Sequence, residues 1–349
     1  MRAGGTPPPM TKPLISLAAL LALAVPAQAQ DEAPPPSPGE IVAQAPAGEW
    51  VAIASEDLLV MTLAPAADGS TRRVVIQLMP APFSQGWVEN MRTLARAGWY
   101  DGITVNRVQD NYVVQWGDPN YDNPEAEGEA KPLPEGLRTM SVGDYVDSAR
   151  AAESDEDAIV LWHPKPALSD SYADNASFDE GWPIGIEIAE KGKVLRRWPV
   201  HCYGMVGVGR GYSPDTGSGA ELYTVIGHAP RHLDRNIALV GRIVEGMEHL
   251  SSLPRGSGAL GFYTAEEADK RTPILSVRVA SDLPEGDPAS SSEAVGQQAR
   301  PAFEYLSTES EAFARYADAR ANRRDPFFIH PAGGADICNI PVPVRRVAD

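Results

Sequence analysis

The sequence predicts a mainly β fold: a closed eight-stranded antiparallel barrel capped by two helices, with a long loop-rich insertion and a C-terminal helical extension. Three observations predict it. About eight short segments alternate apolar and polar residues with period two, the pattern of strands with one buried face. Two principal stretches of the strand-rich body carry helical spacing, one after the first hairpin and one before the last strand. The 349 residues also include 31 Gly and 32 Pro, so turns and loops occupy much of the chain. Closure into a barrel removes the exposed edges that an open sheet of this size would leave.

Leu14–Val25 is the one strongly apolar run, preceded by Lys12 and followed by Ala27-Gln28-Ala29. A short positive region, a short apolar region and small residues at a cleavage position predict a secretory signal peptide over residues 1–29. The competing reading is a short buried helix. No run reaches the roughly 18–20 apolar residues that cross a bilayer, so no membrane span is expected in the mature chain. Export with no Cys to carry a lipid after the signal predicts a periplasmic location. Residues 30–48, rich in Pro and Ala, read as a flexible linker.

Leu58–Leu63 and Arg73–Met79 alternate as two strands, and Asp68-Gly69 between them is a strong hairpin signal. From Phe83 to about Ala97, the residues Phe83, Trp87, Val88, Met91, Leu94 and Ala95 share one helical face. Arg92 and Arg96 suit the negative end of that helix, and Gly98 stops it. Thr104–Val108 and Tyr112–Gln115 form the next strand pair around Gln109-Asp110-Asn111. Residues 120–199 read as the loop-rich insertion: Asp122–Glu129 is acidic, Ser169–Asp179 is polar, and one short helix falls near Val142–Ala152. Strands resume at Val200–Val208, Glu221–Ile226 and Asn236–Ile243. A short helix, Val244–Ser252, follows and ends before Pro254. Thr272–Ala280 is the last strand, so the barrel domain spans about 49–281. Residues 282–300 read as a second linker, and 301–349 as an amphipathic helix, Ala302–Arg323, with a tail.

Thirty basic residues against 47 acidic ones give a formal charge of −17, which argues against a nucleic-acid binder. Cys202 and Cys338 either form one disulfide in an oxidising compartment or remain two buried thiols. His228 and His232 have a helical metal-binding spacing, but Pro230 interrupts any helix and no third ligand follows, so no metal site is expected. Gly207-Val208-Gly209-Arg210-Gly211 lacks both the third glycine of a dinucleotide loop and the Gly-Lys-Ser/Thr ending of a phosphate loop. No Gly-x-Ser-x-Gly nucleophile elbow is present. With no evident nucleophile, metal or acid–base pair, any catalysis here must work by binding alone.

One segment carries more information: Tyr100-Asp101-Gly102-Ile103-Thr104-Val105-Asn106-Arg107-Val108, then Tyr112-Val113-Val114-Gln115-Trp116-Gly117-Asp118-Pro119. It resembles the cyclophilin-type peptidyl-prolyl isomerases, whose pattern there is Y-D-G-x-x-F-H-R-V followed by F-x-x-Q-x-G-D-P. Val88-Glu89-Asn90-Met91 is similar to the family's V-x-N-F. Gly219-Ala220-Glu221-Leu222-Tyr223, His232-Leu233-Asp234 and Val240-Gly241-Arg242-Ile243-Val244-Glu245-Gly246-Met247 are similar to its G-S-Q-F-F, W-L-D and F-G-x-V-x-x-G-M. The resemblance covers about 49–119 and 200–280 and leaves the insertion unmatched.

The resemblance implies the same capped barrel, no cofactor, and proline-containing polypeptides as partners. It implies that Arg107 is the catalytic arginine and that Gln115 holds substrate backbone and orients it. Tyr112, Val113, Tyr223 and Leu233 match positions lining the proline pocket, and Val208 and Gly209 a segment whose backbone meets the peptide. Glu221, His232 and Ile237 match rim positions. Departures from the pattern stand at Val105, Asn106, Glu221 and His232, and at Tyr112 and Tyr223, whose hydroxyls are expected to make the pocket floor more polar. Two functions follow: a periplasmic prolyl isomerase acting on exported polypeptides, and a low-activity proline-peptide-binding chaperone or envelope scaffold. The bland reading of Arg107 is a strand arginine in a surface ion pair.

Overall fold

The computed structural model describes residues 1, 4–5, 34–121, 126–148, 170–188, 194–285 and 299–347. Most of the expected signal peptide and most of the 282–300 linker lie outside the described residues. All elements named below belong to the unit Pro35–Asp349.

In chain order the strands are β1 (Trp50–Ala52), β2 (Leu58–Leu63), β3 (Arg72–Leu78), β4 (Thr104–Val108) and β5 (Val113–Gly117). Then come β6 (Asn175–Asp179), β7 (Trp182–Ile188), β8 (Val194–Pro199), β9 (Met205–Val208) and β10 (Leu222–Val225). The last four are β11 (Leu239–Glu245), β12 (Ile274–Val279), β13 (Phe303–Leu306) and β14 (Val344–Arg346). The helices that matter are α1 (Pro38–Ala43), α2 (Gln85–Arg96), α3 (Glu248–Ser251) and α4 (Glu311–Ala321).

Eight strands build one antiparallel sheet in the order β12-β2-β3-β11-β9-β10-β5-β4. Its two outer strands meet. The Gly102 N–H donates to the Ile274 carbonyl (2.9 Å), the Ile274 N–H to Ile103 (2.8 Å) and the Val105 N–H to Thr272 (2.9 Å). This seam nearly closes the barrel and leaves few unpaired edge groups. The eight strands are those the alternation predicts, shifted by a few residues at their ends. The predicted Asp-Gly turn joins β2 to β3: Gly69 takes a φ of +83°, and the Asp68 carboxylate accepts the Ser70 N–H (2.9 Å).

Helix α2 buries Trp87, Val88, Asn90, Met91, Leu94 and Ala95 against β11 and β12. It ends at Gly98, which takes a left-handed φ of +62°. Asn90 lies inside this interface, donating to the Arg138 and Ser218 carbonyls, each at 2.9 Å. It thereby ties the segment after β5 to the helix.

The structure differs from the sequence expectation in five places. The second capping helix is the single turn α3, because β11 continues to Glu245 in register with Val75 of β3. The 30–48 linker contains α1: the Ser37 and Glu40 side chains form a reciprocal capping box, Pro38 occupies the first turn, and Ile41 is buried. The insertion is not only loop. It holds the antiparallel sheet β6-β7-β8, whose Trp182, Ile184 and Ile186 join the barrel's hydrophobic core. The helix expected near Val142–Ala152 is a 3-10 turn, Val142–Tyr145, with residues 149–152 outside the described residues. The helix expected from Ala302 begins only at Glu311, after Ser310 caps it by accepting the Phe313 N–H (3.1 Å). Phe303–Leu306 instead forms β13, the middle strand of a sheet with β1 and β14.

Cys202 and Cys338 form a disulfide across a sequence separation of 136 residues, with Cα atoms 5.1 Å apart. It fastens the C-terminal tail to the segment entering β9.

Candidate functional site

Strand β4 carries one extra residue. Val105 lies opposite Trp116 and Val108 opposite Val114, but Arg107 lies opposite Gln115, so Asn106 is bulged out of the register. Without that bulge Arg107 would face Val114, whose side chain is in the core. The extra residue moves it onto the other face of the sheet, beside Gln115. Buried Asn106 fixes the bulge: its amide donates to the Gly117 carbonyl (3.1 Å) and its carbonyl accepts the Thr104 hydroxyl.

The register continues across the sheet. Gln115 pairs with Tyr223 on β10, and Tyr223 with Gly207 on β9. Arg107, Gln115, Tyr223 and Gly207 therefore form one row over four strands. Gly207 is required there, because a Cβ at this position would lie 2.3 Å from the Tyr223 Cζ and Oη atoms. The ring thus lies flat across β9.

Above this row is a pocket of about 230 Å³. That is smaller than the roughly 300–1,000 Å³ of small-molecule sites and suits a single side chain. Val113 and Tyr223, with Tyr112, Leu233 and Ile237 packed on them, form its apolar floor. Gly209, Arg210 and Glu221 line one side, and Tyr121, Leu260 and Phe262 also border it.

Arg107 is half-buried at the pocket. Its Nε donates to the Leu260 carbonyl (2.6 Å), one terminal nitrogen to Gln115 Oε1 (3.2 Å) and the other to Gln109 Oε1. The guanidinium carbon lies 5.5 Å from the Tyr112 ring centroid and 5.4 Å from that of Phe262. All three acceptors are neutral, so this is not the surface ion pair of the bland reading. Burial pulls the guanidinium below its ordinary pKa, and it remains a cation at neutral pH. A guanidinium has five N–H donors, so three internal bonds leave two for a ligand.

Of the residues singled out in the sequence, the pocket brings together Arg107, Tyr112, Val113, Gln115, Gly209, Glu221, Tyr223, Leu233 and Ile237. Val208 is not among them. It is fully buried in the barrel core, since its neighbour Gly207 occupies the pocket face, and its N–H donates to Ala238 inside the sheet (3.0 Å). His232 is exposed at the rim, where it stacks on Tyr112 with ring centroids 6.4 Å apart. Nor does Tyr223 offer its hydroxyl to the pocket as expected: that hydroxyl is bonded beneath the floor to His201 (2.9 Å). Glu221 is almost wholly buried, its carboxylate lying where a Cβ on Gly117 would otherwise stand. His228 bonds to Asn111 (3.2 Å) rather than pairing with His232.

Sequence reasoning missed Leu260 and Phe262. They lie on the loop after α3, where Phe262 makes an isolated antiparallel bridge to Arg107. No periodicity marks this loop. Gly256, Gly258 and Gly261 are its only sequence signal, and Gly261 (φ +82°) turns the chain back towards Gln109.

Residues 69–279 match the family model described as cyclophilin type peptidyl-prolyl cis-trans isomerase/CLD. No curated protein matches the chain. Among solved structures, the chain is similar to the cyclophilin AquaCyp293 from Hirschia baltica, with a TM-score of 0.55 at 20% identity over 85% of this chain and 93% of that one. A cyclophilin type peptidyl-prolyl cis-trans isomerase from Cryptosporidium parvum, solved in the presence of the dipeptide ala-pro, matches over 64% of this chain and 97% of that one, at 11% identity and a TM-score of 0.34. The family model covers more than half of the sequence, and the capped antiparallel barrel agrees with it: the chain belongs to the cyclophilin-type peptidyl-prolyl cis-trans isomerases.

Proposed function

We propose that the chain accelerates rotation about X–Pro bonds in exported polypeptides, with Arg107 as the group that favours the twisted amide. Such a bond rotates over a barrier of roughly 18–20 kcal/mol because the nitrogen lone pair is conjugated into the carbonyl. A catalyst needs no covalent step; it must hold the twisted form more tightly than either planar isomer. The proline ring sits on Tyr112, Val113, Tyr223, Leu233 and Ile237. Gln115 takes substrate backbone. The two spare Arg107 donors meet the prolyl carbonyl and the nitrogen as it becomes pyramidal. The observation that carries this reading is a half-buried cation with only neutral partners at the edge of an apolar hollow of side-chain size. The Cys202–Cys338 bridge supports an oxidising, extracytoplasmic location, as does the signal-like N-terminus.

The test is a proline-isomerisation assay on the mature protein beside Arg107→Ala. Removing a positioned donor of this kind costs about 10²–10³-fold in turnover. Equal rates for the two proteins would remove the mechanism.

A second reading, a proline-peptide-binding chaperone or envelope scaffold with little turnover, is favoured by one observation. Arg107 is already held by three acceptors and two rings, and the buried carboxylate of Glu221 borders the same pocket. Peptide binding without rate acceleration would select it.

A further inference from the structure

Beneath the pocket runs a chain of buried polar groups that the proposed mechanism does not use. The Tyr223 hydroxyl meets His201 Nε2 (2.9 Å), and His201 Nδ1 meets Asp234 Oδ1 (2.8 Å), which also accepts the His201 backbone N–H (3.0 Å). Asp234 Oδ2 accepts from Arg231 Nε (2.7 Å), and the Arg231 terminal nitrogens donate to both oxygens of Asp170 (2.6 and 3.0 Å). The side chains of His201, Asp234, Arg231 and Asp170 are each at most 3% exposed. The chain joins three parts of the molecule: the insertion through Asp170, the rim turn Arg231–Leu233, and the pocket floor.

The protonation pattern follows from donor and acceptor counting. Burial alone would raise the Asp234 carboxyl, but its bonds to His201 and Arg231 hold it below the usual range, so it is ionised and can only accept. His201 must then carry its proton on Nδ1. Burial pushes the His201 imidazole below its ordinary value despite Asp234, so the ring is neutral at pH 7 and Nε2 is an acceptor. Tyr223, pushed well above its ordinary range by burial, supplies the proton in that bond.

We propose that His201 is the positioning residue of the proline pocket: its Nε2 accepts from the Tyr223 hydroxyl and holds it down, so that the ring face and not the phenol forms the floor, and protonation of His201 turns Nε2 into a donor, so that the bond must reverse and the phenol proton loses this acceptor. This rests on the reading of the pocket given under Proposed function. The geometry requires the anchor. Tyr223 crosses a glycine with no side chain to brace it, and its ring is stacked on the imidazole with centroids 6.4 Å apart and planes 9° from parallel. Among the described residues, the titratable and charged groups facing His201 are Tyr223 from β10 and Arg231, His232 and Asp234 from the rim turn, with Asp170 behind Arg231. Only His201 changes the sense of its bond to the floor when it takes a proton.

The experiment measures binding of a short Ala-Pro-containing peptide by NMR titration, together with kcat and KM for isomerisation, from pH 5 to 8. Four variants are compared with the wild type: His201→Leu, His201→Gln, Tyr223→Phe and Arg107→Ala. A lost hydrogen bond of this kind corresponds to about three- to tenfold in affinity. His201→Leu and Tyr223→Phe should therefore raise Kd and KM by that factor; in His201→Leu, whose side chain lies beneath the pocket, kcat stays within about twofold of the wild type. His201→Gln places an amide oxygen near the Nε2 position; it should restore the affinity and abolish the weakening that the wild type shows on acidification. Wild-type Kd in a folded His201→Leu protein would overturn the proposal, as would an acid-dependent Kd that persists in His201→Gln. If His201→Leu does not fold, Tyr223→Phe decides alone, with wild-type affinity overturning the anchor. Failure of the isomerase reading is a separate result: no acceleration by the wild type, or none lost in Arg107→Ala, while the peptide affinities still report on His201.

Discussion

Replacing Cys202 and Cys338 together by Ala removes a cross-link between Cα atoms 5.1 Å apart, together with the packing of the buried Cys202 sulfur in the core. Its main effect falls on the unfolded chain. Closing a loop of 136 residues corresponds to about 5 kcal/mol at 25 °C in the chain-entropy model. With about 2.1 cal/mol/K of unfolding entropy per residue over the unit Pro35–Asp349, that becomes a fall in Tm of roughly 8 °C. Calorimetry on the oxidised wild type and the double variant, at equal concentration and pH, reads it directly. A fall below about 2 °C would refute the claim that the bridge stabilises by restraining the unfolded state. Two titratable thiols in denatured but unreduced wild type would refute the pairing itself.

Three further outcomes follow from the site. Gly117→Ala forces a methyl into the space of the Glu221 carboxylate and should cost about 1–3 kcal/mol, read as a lowered urea midpoint. Phe262→Ala removes one of the two rings over Arg107 and one wall of the pocket. It should lower kcat/KM by about two- to fivefold in the isomerisation assay, the scale of a cation–π contact of about 0.5–1 kcal/mol. His201 is held below its ordinary pKa of 6.5 in the folded chain, so on acidification the unfolded chain takes up that proton first. Stability supplied by the neutral ring is complete above that value and is lost as the pH falls from it towards the lower folded value. Urea midpoints at pH 7.5 and pH 5 should therefore converge in His201→Gln relative to the wild type.

Among the barrel strands, Ile274–Val279 was legible from alternation, because Val277 and Val279 are buried and Arg278 between them is not. Leu58–Leu63 is buried on both faces, Leu59, Met61 and Leu63 in the main core and Leu58 and Val60 in a second cluster, and was legible as a short apolar run before the Asp-Gly turn. The sheet β6-β7-β8 was not, because Pro183 and Gly185 interrupt Trp182-Pro183-Ile184-Gly185-Ile186 and read as loop signals inside the strand. The strand β13 was absorbed into a helical pattern because Phe303 and Leu306 are three apart, a spacing that fits either element over so short a run. In the site, the pocket residues of β5 and β10 came from the resemblance in local motifs. The bulge at Asn106 cannot be read from composition, although it decides which way Arg107 points. His201, Leu260 and Phe262 reach the pocket from segments far away in the sequence, and only the folded chain brings them there. Tyr223 shows the limit of motif transfer: the residue lies at the pocket, but its hydroxyl points beneath the floor and not into it, because the acceptor that captures it lies outside any motif.

Trp50–Ala52 pairs with residues some 250 positions later, and the sheet is completed by Val344–Arg346. During N-to-C synthesis all eight barrel strands have emerged well before that late partner exists. A nascent chain halted near residue 300 would therefore carry a sealed barrel with its leading strand unmated, a sticky edge open to other chains. Delivery of the last fifty residues is what makes the product safe to release.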